Sequence, residues 1–220
     1  MKIGVLISGR GSNLQSLIDA QIDGNLSAEI VTVISNVPNV QGLERAKLHG
    51  IPSKVINHKN YNNRTDFDNA LDKTLLLAGA ELICLAGFMR VLSNDFVNKW
   101  MDRIINVHPS LLPSFKGVKT HERAIESGVR FTGCTIHFVR NNLDDGPIIL
   151  QAVVPMQPDD TPEILATRVL HEEHRIFPLA VRMIAEGRIK VEDNKVRIRG
   201  AKYSRKTIVN PFDYSSANNI

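Results

Sequence analysis

The first half of the chain alternates short apolar runs with segments whose apolar residues recur at helical spacing. Lys2 to Ile7 is an apolar run that leads into glycines, and Asn13 to Ile22 continues as a helix pattern. Glu29 to Ser35 is rich in β-branched residues and predicts a strand, Gly42 to His49 a short helix, and Lys54 to Ile56 a brief strand. Between Arg64 and Ala78, the residues Phe67, Ala70, Leu71, Thr74, Leu75 and Ala78 fall on one helical face. Leu82 to Ala86 reads as a buried strand, Asp95 to Trp100 as a short helix and Arg103 to Val107 as another strand. Repeated strand–helix units of this kind predict an α/β fold. The expectation is a Rossmann-like, open, mostly parallel twisted sheet with helices on both faces.

The rhythm changes after Pro109. Thr132 to Val139 and Ile148 to Val154 are strand-like and flank the turn-rich stretch Asn141-Asn142-Leu143-Asp144-Asp145-Gly146-Pro147, so an antiparallel C-terminal edge is expected. A long helix is predicted from Pro162 to Glu186, with Thr161 as its cap and Pro162 in the first turn. Pro178 should kink or split it, because proline removes an internal hydrogen bond. Ile189 to Glu192 and Lys195 to Ile198 predict a small hairpin. Neither a repeat nor a linker is evident, so residues 1–200 are expected to form a single domain, followed by a polar, poorly ordered tail over 201–220.

Composition narrows the function class. Of 220 residues, 43% are hydrophobic and 23% charged, as in an ordinary globular protein. No apolar run approaches the eighteen or so residues of a membrane span, and the N-terminus lacks a secretory pattern, so a cytoplasmic protein without membrane contact is expected. Cys84 and Cys134 are far apart inside apolar segments and read as reduced core thiols. A formal charge of +4 suits an anionic small substrate and is too weak to argue for nucleic acid.

Three stretches carry candidate chemistry. Ser8-Gly9-Arg10-Gly11-Ser12-Asn13-Leu14 joins the first strand to the first helix, where glycines admit a ligand close to the backbone and the helix start offers free N–H groups; a phosphate fits, and so does a plain tight turn. A dinucleotide is disfavoured, because Leu14 replaces the third glycine and the second strand ends in Ile34-Ser35-Asn36 without an acidic residue. Asn106 and His108 alternate on one face of a strand end, where an amide and an imidazole could both donate to an oxyanion; the same pair could simply satisfy loop backbone. No serine elbow or cysteine nucleophile stands nearby, which favours direct attack by a substrate. His171-Glu172-Glu173-His174 spaces its histidines three apart, unlike the helical zinc motif, and reads as a solvated helix face. No metal is expected.

Taken together, these stretches resemble the folate-dependent phosphoribosylglycinamide formyltransferases, over Met1 to about Arg188. The resemblance is carried by Leu6-Ile7-Ser8-Gly9-Arg10-Gly11-Ser12-Asn13-Leu14-Gln15, Leu85-Ala86-Gly87-Phe88-Met89-Arg90-Val91-Leu92 and Asn106-Val107-His108-Pro109-Ser110-Leu111-Leu112-Pro113. Gly133 to Val139, Asp144 to Ile149 and Glu173 to Pro178 extend it in the same order. It implies that Gly11, Ser12 and Asn13 hold the phosphate of glycinamide ribonucleotide and that Glu173 contacts its ribose. Met89, Arg90, Val91 and Leu92 would line the pterin pocket of the co-substrate 10-formyltetrahydrofolate, with Arg64 near the folate and Asn141 to Asp144 closing over it. Asn106, His108 and Asp144 match the family's catalytic set, with Asp144 close to His108 and favouring its cationic form. His121 and His137 fall on matching segments and are expected to be supporting residues. Lys116 and Lys119 depart from the family's usual residues in a variable loop. Related methionyl-tRNA formyltransferases and formyltetrahydrofolate hydrolases share the Asn-x-His-Pro core but carry an extra domain, which the single-domain layout expected here does not accommodate. The partners implied are the two small-molecule substrates, with the protein a monomer or homodimer and no nucleic acid bound.

Overall fold

A computed structural model describes residues 1–211. Seven strands form one sheet: β1 (Lys2–Ile7), β2 (Glu29–Ser35), β3 (Ser53–Val55), β4 (Leu82–Leu85), β5 (Ile104–His108), β6 (Phe131–Phe138) and β7 (Ile148–Pro155). Their order across the sheet is β3-β2-β1-β4-β5-β6-β7. The first four pairings are parallel, while β5–β6 and β6–β7 are antiparallel, as the change of rhythm after Pro109 predicted. Strand order reverses direction at β1, which has β2 on one side and β4 on the other. A crevice therefore opens outside the carboxyl ends of β1 and β4.

Alternation along β1 divides the core. Ile3, Val5 and Ile7 point to one face and pack with Leu14, Leu17 and Ile18 of α1 (Ser12–Ile22) and with Ile176, Phe177 and Val181 of α6 (Pro162–Ala185). Leu6 points to the other face, where Leu71 and Leu75 of α3 (Arg64–Leu77) and Phe96 of α4 (Asn94–Lys99) join Trp100. Gly4 also lies on this second face, where a Cβ would stand 2.4 Å from a methyl of Leu75. The sheet is thus buried on both sides, which is why its central strands read as continuous apolar runs.

Local chemistry sets the helix ends. Asn63 Oδ1 accepts from Asp66 N–H at the start of α3, and Ser93 Oγ from Phe96 N–H at the start of α4. Thr161 Oγ1 accepts from Ile164 N–H, so the predicted cap of α6 is in place. Pro178, expected to kink or split this helix, does not split it: the helix runs unbroken to Ala185. Leu165, Val169, Ile176, Phe177 and Val181 are all buried, and that packing outweighs one missing hydrogen bond.

Two elements escaped the sequence pattern. His58–Asn60 is a single 3-10 turn, and Thr120–Glu126 is a helix, α5. The latter has only seven residues and is entered through Lys119 in the left-handed region (φ 56°), without a side-chain cap, so the usual start signal is missing. A separate hairpin, β8 (Ile189–Glu192) with β9 (Lys195–Ile198), matches the expectation. Residues 201–211 carry no regular structure. Even so, Asn210 Nδ2 donates to the carbonyls of Arg130 and Met156, 2.7 and 3.0 Å away, so this part of the tail is tied to the strand edge. The rest of the expected tail lies outside the described residues. Among the described residues, no helix is long and apolar enough to cross a membrane.

Candidate active site

Gly11 closes the turn after β1 with φ 69°, and a Cβ there would stand 2.7 Å from the Cα of Gly42 in α2 (Gln41–Leu48). Only glycine fits both the backbone angle and that approach. Gly11 is also the N-cap of α1, and it brings no side chain to satisfy the N–H groups of the first helical turn. Those groups and the helix dipole suit an anion. Behind them Asn13 Nδ2 donates to Glu173 Oε2 of α6 at 2.7 Å, while Asn13 Oδ1 is buried without a partner. Burial pushes the Glu173 carboxyl up to about 7, and the Asn13 hydrogen bond offsets only part of this.

Asn13 and Glu173 form one end of a cavity of about 540 Å³. At the other end lie Met89, Arg90, Val91, Leu92 and the loop from Asn141 to Asp144. Its mouth is apolar and open: Met89, Val91, Val118 and Leu143 are all more than half exposed. Such a lining suits a flat aromatic ligand. Asn106 and His108, at the carboxyl end of β5, line the same cavity.

Ser8 ties the two ends together. Its N–H donates to the Gly87 carbonyl at 3.1 Å, and its Oγ accepts from Met89 N–H at 2.7 Å while donating to Asn36 Oδ1 at 2.5 Å. On the outer side, buried Asp68 accepts from Ser93 N–H at 2.6 Å. Burial raises the Asp68 carboxyl, against the Ser93 hydrogen bonds and the charges of Arg64 and Arg90. Arg64 does not line the cavity; its charge is felt at Asp68 together with that of Arg90, which does.

His108 and Asp144 are held by backbone groups. His108 is 4% exposed, and its Nε2 lies 3.0 Å from the Phe115 carbonyl, which can only accept. Nε2 is therefore the donor, and Nδ1 is left facing Asp144 Oδ2 at 3.4 Å. That contact becomes an ion pair when the ring is cationic. Asp144 itself sits at φ 49°, and its Oδ2 also accepts from Gly117 N–H at 2.8 Å. His137 comes within 3.3 Å of Asn106 and 3.9 Å of Asp144. His121 lines the same cavity with a buried, unpartnered Nδ1, and burial lowers its pKa.

Of the residues singled out from the sequence, the structure brings together Asn13, Met89, Arg90, Val91, Leu92, Asn106, His108, Asn141, Asp144 and Glu173 around one space. Gly11 and Ser12 stand just behind it at the head of α1, with Ser12 opening onto a second groove of about 460 Å³ beside Arg45 and His174. His171 is exposed next to Glu172, and among the described residues no group of three or more metal-ligating side chains occurs. Both thiols are buried: the pKa of Cys134 is pushed up to about 12 and that of Cys84 is also raised. Sequence reasoning passed over the Phe115 carbonyl and the Gly117 N–H. Backbone groups leave no signal in residue types, so nothing in the sequence could have pointed to either.

A glycine-turned helix start and an Asn–His–Asp cluster share one open cavity on a Rossmann-like sheet. The chain belongs to the formyl transferase family, whose model matches residues 1–181. It is 43% identical over 199 residues to phosphoribosylglycinamide formyltransferase of Haemophilus influenzae, covering 90% of this chain and 94% of that protein. It is 52% identical over 193 residues to the human trifunctional purine biosynthetic protein adenosine-3, covering 88% of this chain but only 19% of that much longer protein. The crystal structure of glycinamide ribonucleotide transformylase 1 from Symbiobacterium toebii superimposes with a TM-score of 0.89 at 46% identity, over 90% of this chain and 94% of the other.

Proposed function

We propose that the protein transfers the formyl group of 10-formyltetrahydrofolate to the amine of 5'-phosphoribosylglycinamide, a cytoplasmic step of purine biosynthesis. The observation that carries this reading is the position of Asn106, His108 and Asp144. They line one cavity together with Asn13 and Glu173, beside an anion-suited helix start, and with the exposed apolar residues Met89, Val91 and Leu143. The family membership and the near full-length match to a phosphoribosylglycinamide formyltransferase support the same assignment.

The ribonucleotide phosphate would take the N–H groups of Gly11, Ser12 and Asn13, and the ribose hydroxyls would donate to Glu173. The pterin would lie against Met89 to Leu92 under the Asn141–Asp144 loop, leaving Arg90 and Arg64 to meet the glutamate carboxylates of the folate. The neutral glycinamide amine then attacks the formyl carbon. As the new C–N bond forms, the carbonyl electron pair moves onto oxygen, and the Asn106 amide and the Nδ1–H of a cationic His108 donate to that oxyanion. Collapse of the tetrahedral carbon breaks its bond to N10 of the folate. The proton lost by the attacking amine reaches N10 through a water held by Asp144, so no net charge is left behind. Anchoring of His108 Nε2 by Phe115 keeps the ring from turning, so that Nδ1 faces both Asp144 and the reaction.

A spectrophotometric assay of the purified protein with a 10-formylfolate donor tests this reading. Release of the folate product only when the ribonucleotide is present is expected. Release without it would make the protein a hydrolase, and no release in either case would leave a binding module and overturn the assignment.

A further inference from the structure

Asn106 and His137 are register partners across the antiparallel β5–β6 pair. The amide Nδ2 of Asn106 lies 3.3 Å from His137 Nε2. The other ring nitrogen, Nδ1, lies 2.9 Å from the Phe138 carbonyl oxygen, which accepts and never donates. Nδ1 must therefore carry the proton, and on a neutral ring Nε2 is left as an acceptor. Burial supports the neutral ring: His137 is 2% exposed, and desolvation pulls its pKa below the ordinary value, against the Phe138 hydrogen bond and the Asp144 charge. Asp144 Oδ1, 3.9 Å from Nε2, is beyond hydrogen-bond distance.

An asparagine amide has two nearly isosteric orientations. Turned by half a rotation, Asn106 would set its Oδ1 against the lone pair of His137 Nε2, acceptor against acceptor. It would also present a carbonyl oxygen where negative charge has to be received. The Phe138 carbonyl thus fixes the tautomer of His137, and the tautomer fixes which atom of Asn106 faces its neighbour. We infer that His137 is a positioning residue that holds the Asn106 amide with its N–H group, rather than its oxygen, toward the reacting carbonyl. This rests on the oxyanion role proposed for Asn106.

The test is a double-mutant cycle on the full chain, with kcat and both KM values measured for the wild type, His137→Leu, Asn106→Ala, the double variant and His137→Gln. His137→Leu should lower kcat about tenfold with both KM values nearly unchanged, since an oxyanion donor acts on the transition state. His137→Gln should keep roughly half the wild-type kcat, because its amide oxygen reaches the place of Nε2 and can accept from Asn106. In the Asn106→Ala background, His137→Leu should have no further effect. Should His137→Leu fail to fold, as read by a thermal melt, His137→Asn replaces it, being a bond too short to reach Asn106. A wild-type kcat in His137→Leu, a Gln variant as slow as the Leu variant, or losses that multiply in the double variant would each overturn the inference. If Asn106→Ala itself keeps full kcat, the oxyanion role falls first and this inference falls with it.

Discussion

Replacing Glu173 with glutamine should make the free protein more stable and a poorer catalyst, and the gain should depend on pH. The carboxyl is 6% exposed, and burial raises its pKa from an ordinary 4.5 to about 7. Because the folded value lies above the unfolded one, the proton is held more tightly in the folded protein. No penalty exists below about pH 4.5, where the group is protonated in both states; stability then falls as pH rises to about 7 and stays level beyond it. At about 1.4 kcal/mol per pH unit, the penalty above neutrality reaches at most about 3.5 kcal/mol. Glu173→Gln keeps the shape, can still accept from Asn13 through Oε1, and never ionises. In a chain of this size such a gain raises the midpoint of thermal unfolding by at most roughly 7–14 °C. Melts of the ligand-free protein at about pH 4 and about pH 8.5 check this, with the gain expected only at the higher value. The same variant should show a KM for the ribonucleotide raised about tenfold, from loss of a charged acceptor for the ribose. A variant no more stable than the wild type at high pH, or equally stabilised at both, would refute the account of a carboxylate held under desolvation for the sake of its substrate.

His108→Ala should lower kcat at least about a hundredfold with little change in the ribonucleotide KM; near-normal turnover in steady-state assays would remove the role assigned to the imidazole. Gly11→Ala should destabilise the protein by about 1–3 kcal/mol in a denaturant titration, since the new methyl meets the Gly42 backbone at a positive φ, and should weaken ribonucleotide binding with it. Ser8→Ala removes the acceptor for Met89 N–H and the donor to Asn36, so the KM for formylfolate should rise about fivefold while the ribonucleotide KM stays nearly constant. Equal changes in both would show that Ser8 supports the fold at large and not the wall of the folate pocket.

The parallel half of the fold was legible because burial on both faces leaves uninterrupted apolar strands, and because the helices that cover them have wide apolar stripes. The boundaries of α3, α4 and α6, each with a capping side chain, fell within a residue of expectation, as at Thr161. The failures have a common cause. Pro178 breaks a local rule that tertiary packing overrides, and α5 is too short and too weakly capped to announce itself. Asn210, inside a segment whose composition suggests disorder, finds two carbonyls at the end of the β6–β7 ladder. None of these contacts leaves a trace in local periodicity.

At the candidate site, many of the residues that line the cavity were legible, and the backbone groups that hold them were not. Asn106 and His108 show themselves by alternation on a strand end, but Asp144 is 36 residues beyond His108 and no spacing rule joins them. The sheet supplies the reason they meet. Among the described residues, β5 is the one strand paired in parallel on one side, with β4, and antiparallel on the other, with β6. Its parallel neighbours lead back to the crevice by β1, where the start of α1 meets Glu173 through Asn13. Its antiparallel neighbour turns back through the Asn141–Asp144 loop, which returns a carboxylate to within 3.4 Å of the histidine. A reaction that joins two substrates needs a strand facing both pockets, and β5 is placed at that join by the change from parallel to antiparallel pairing.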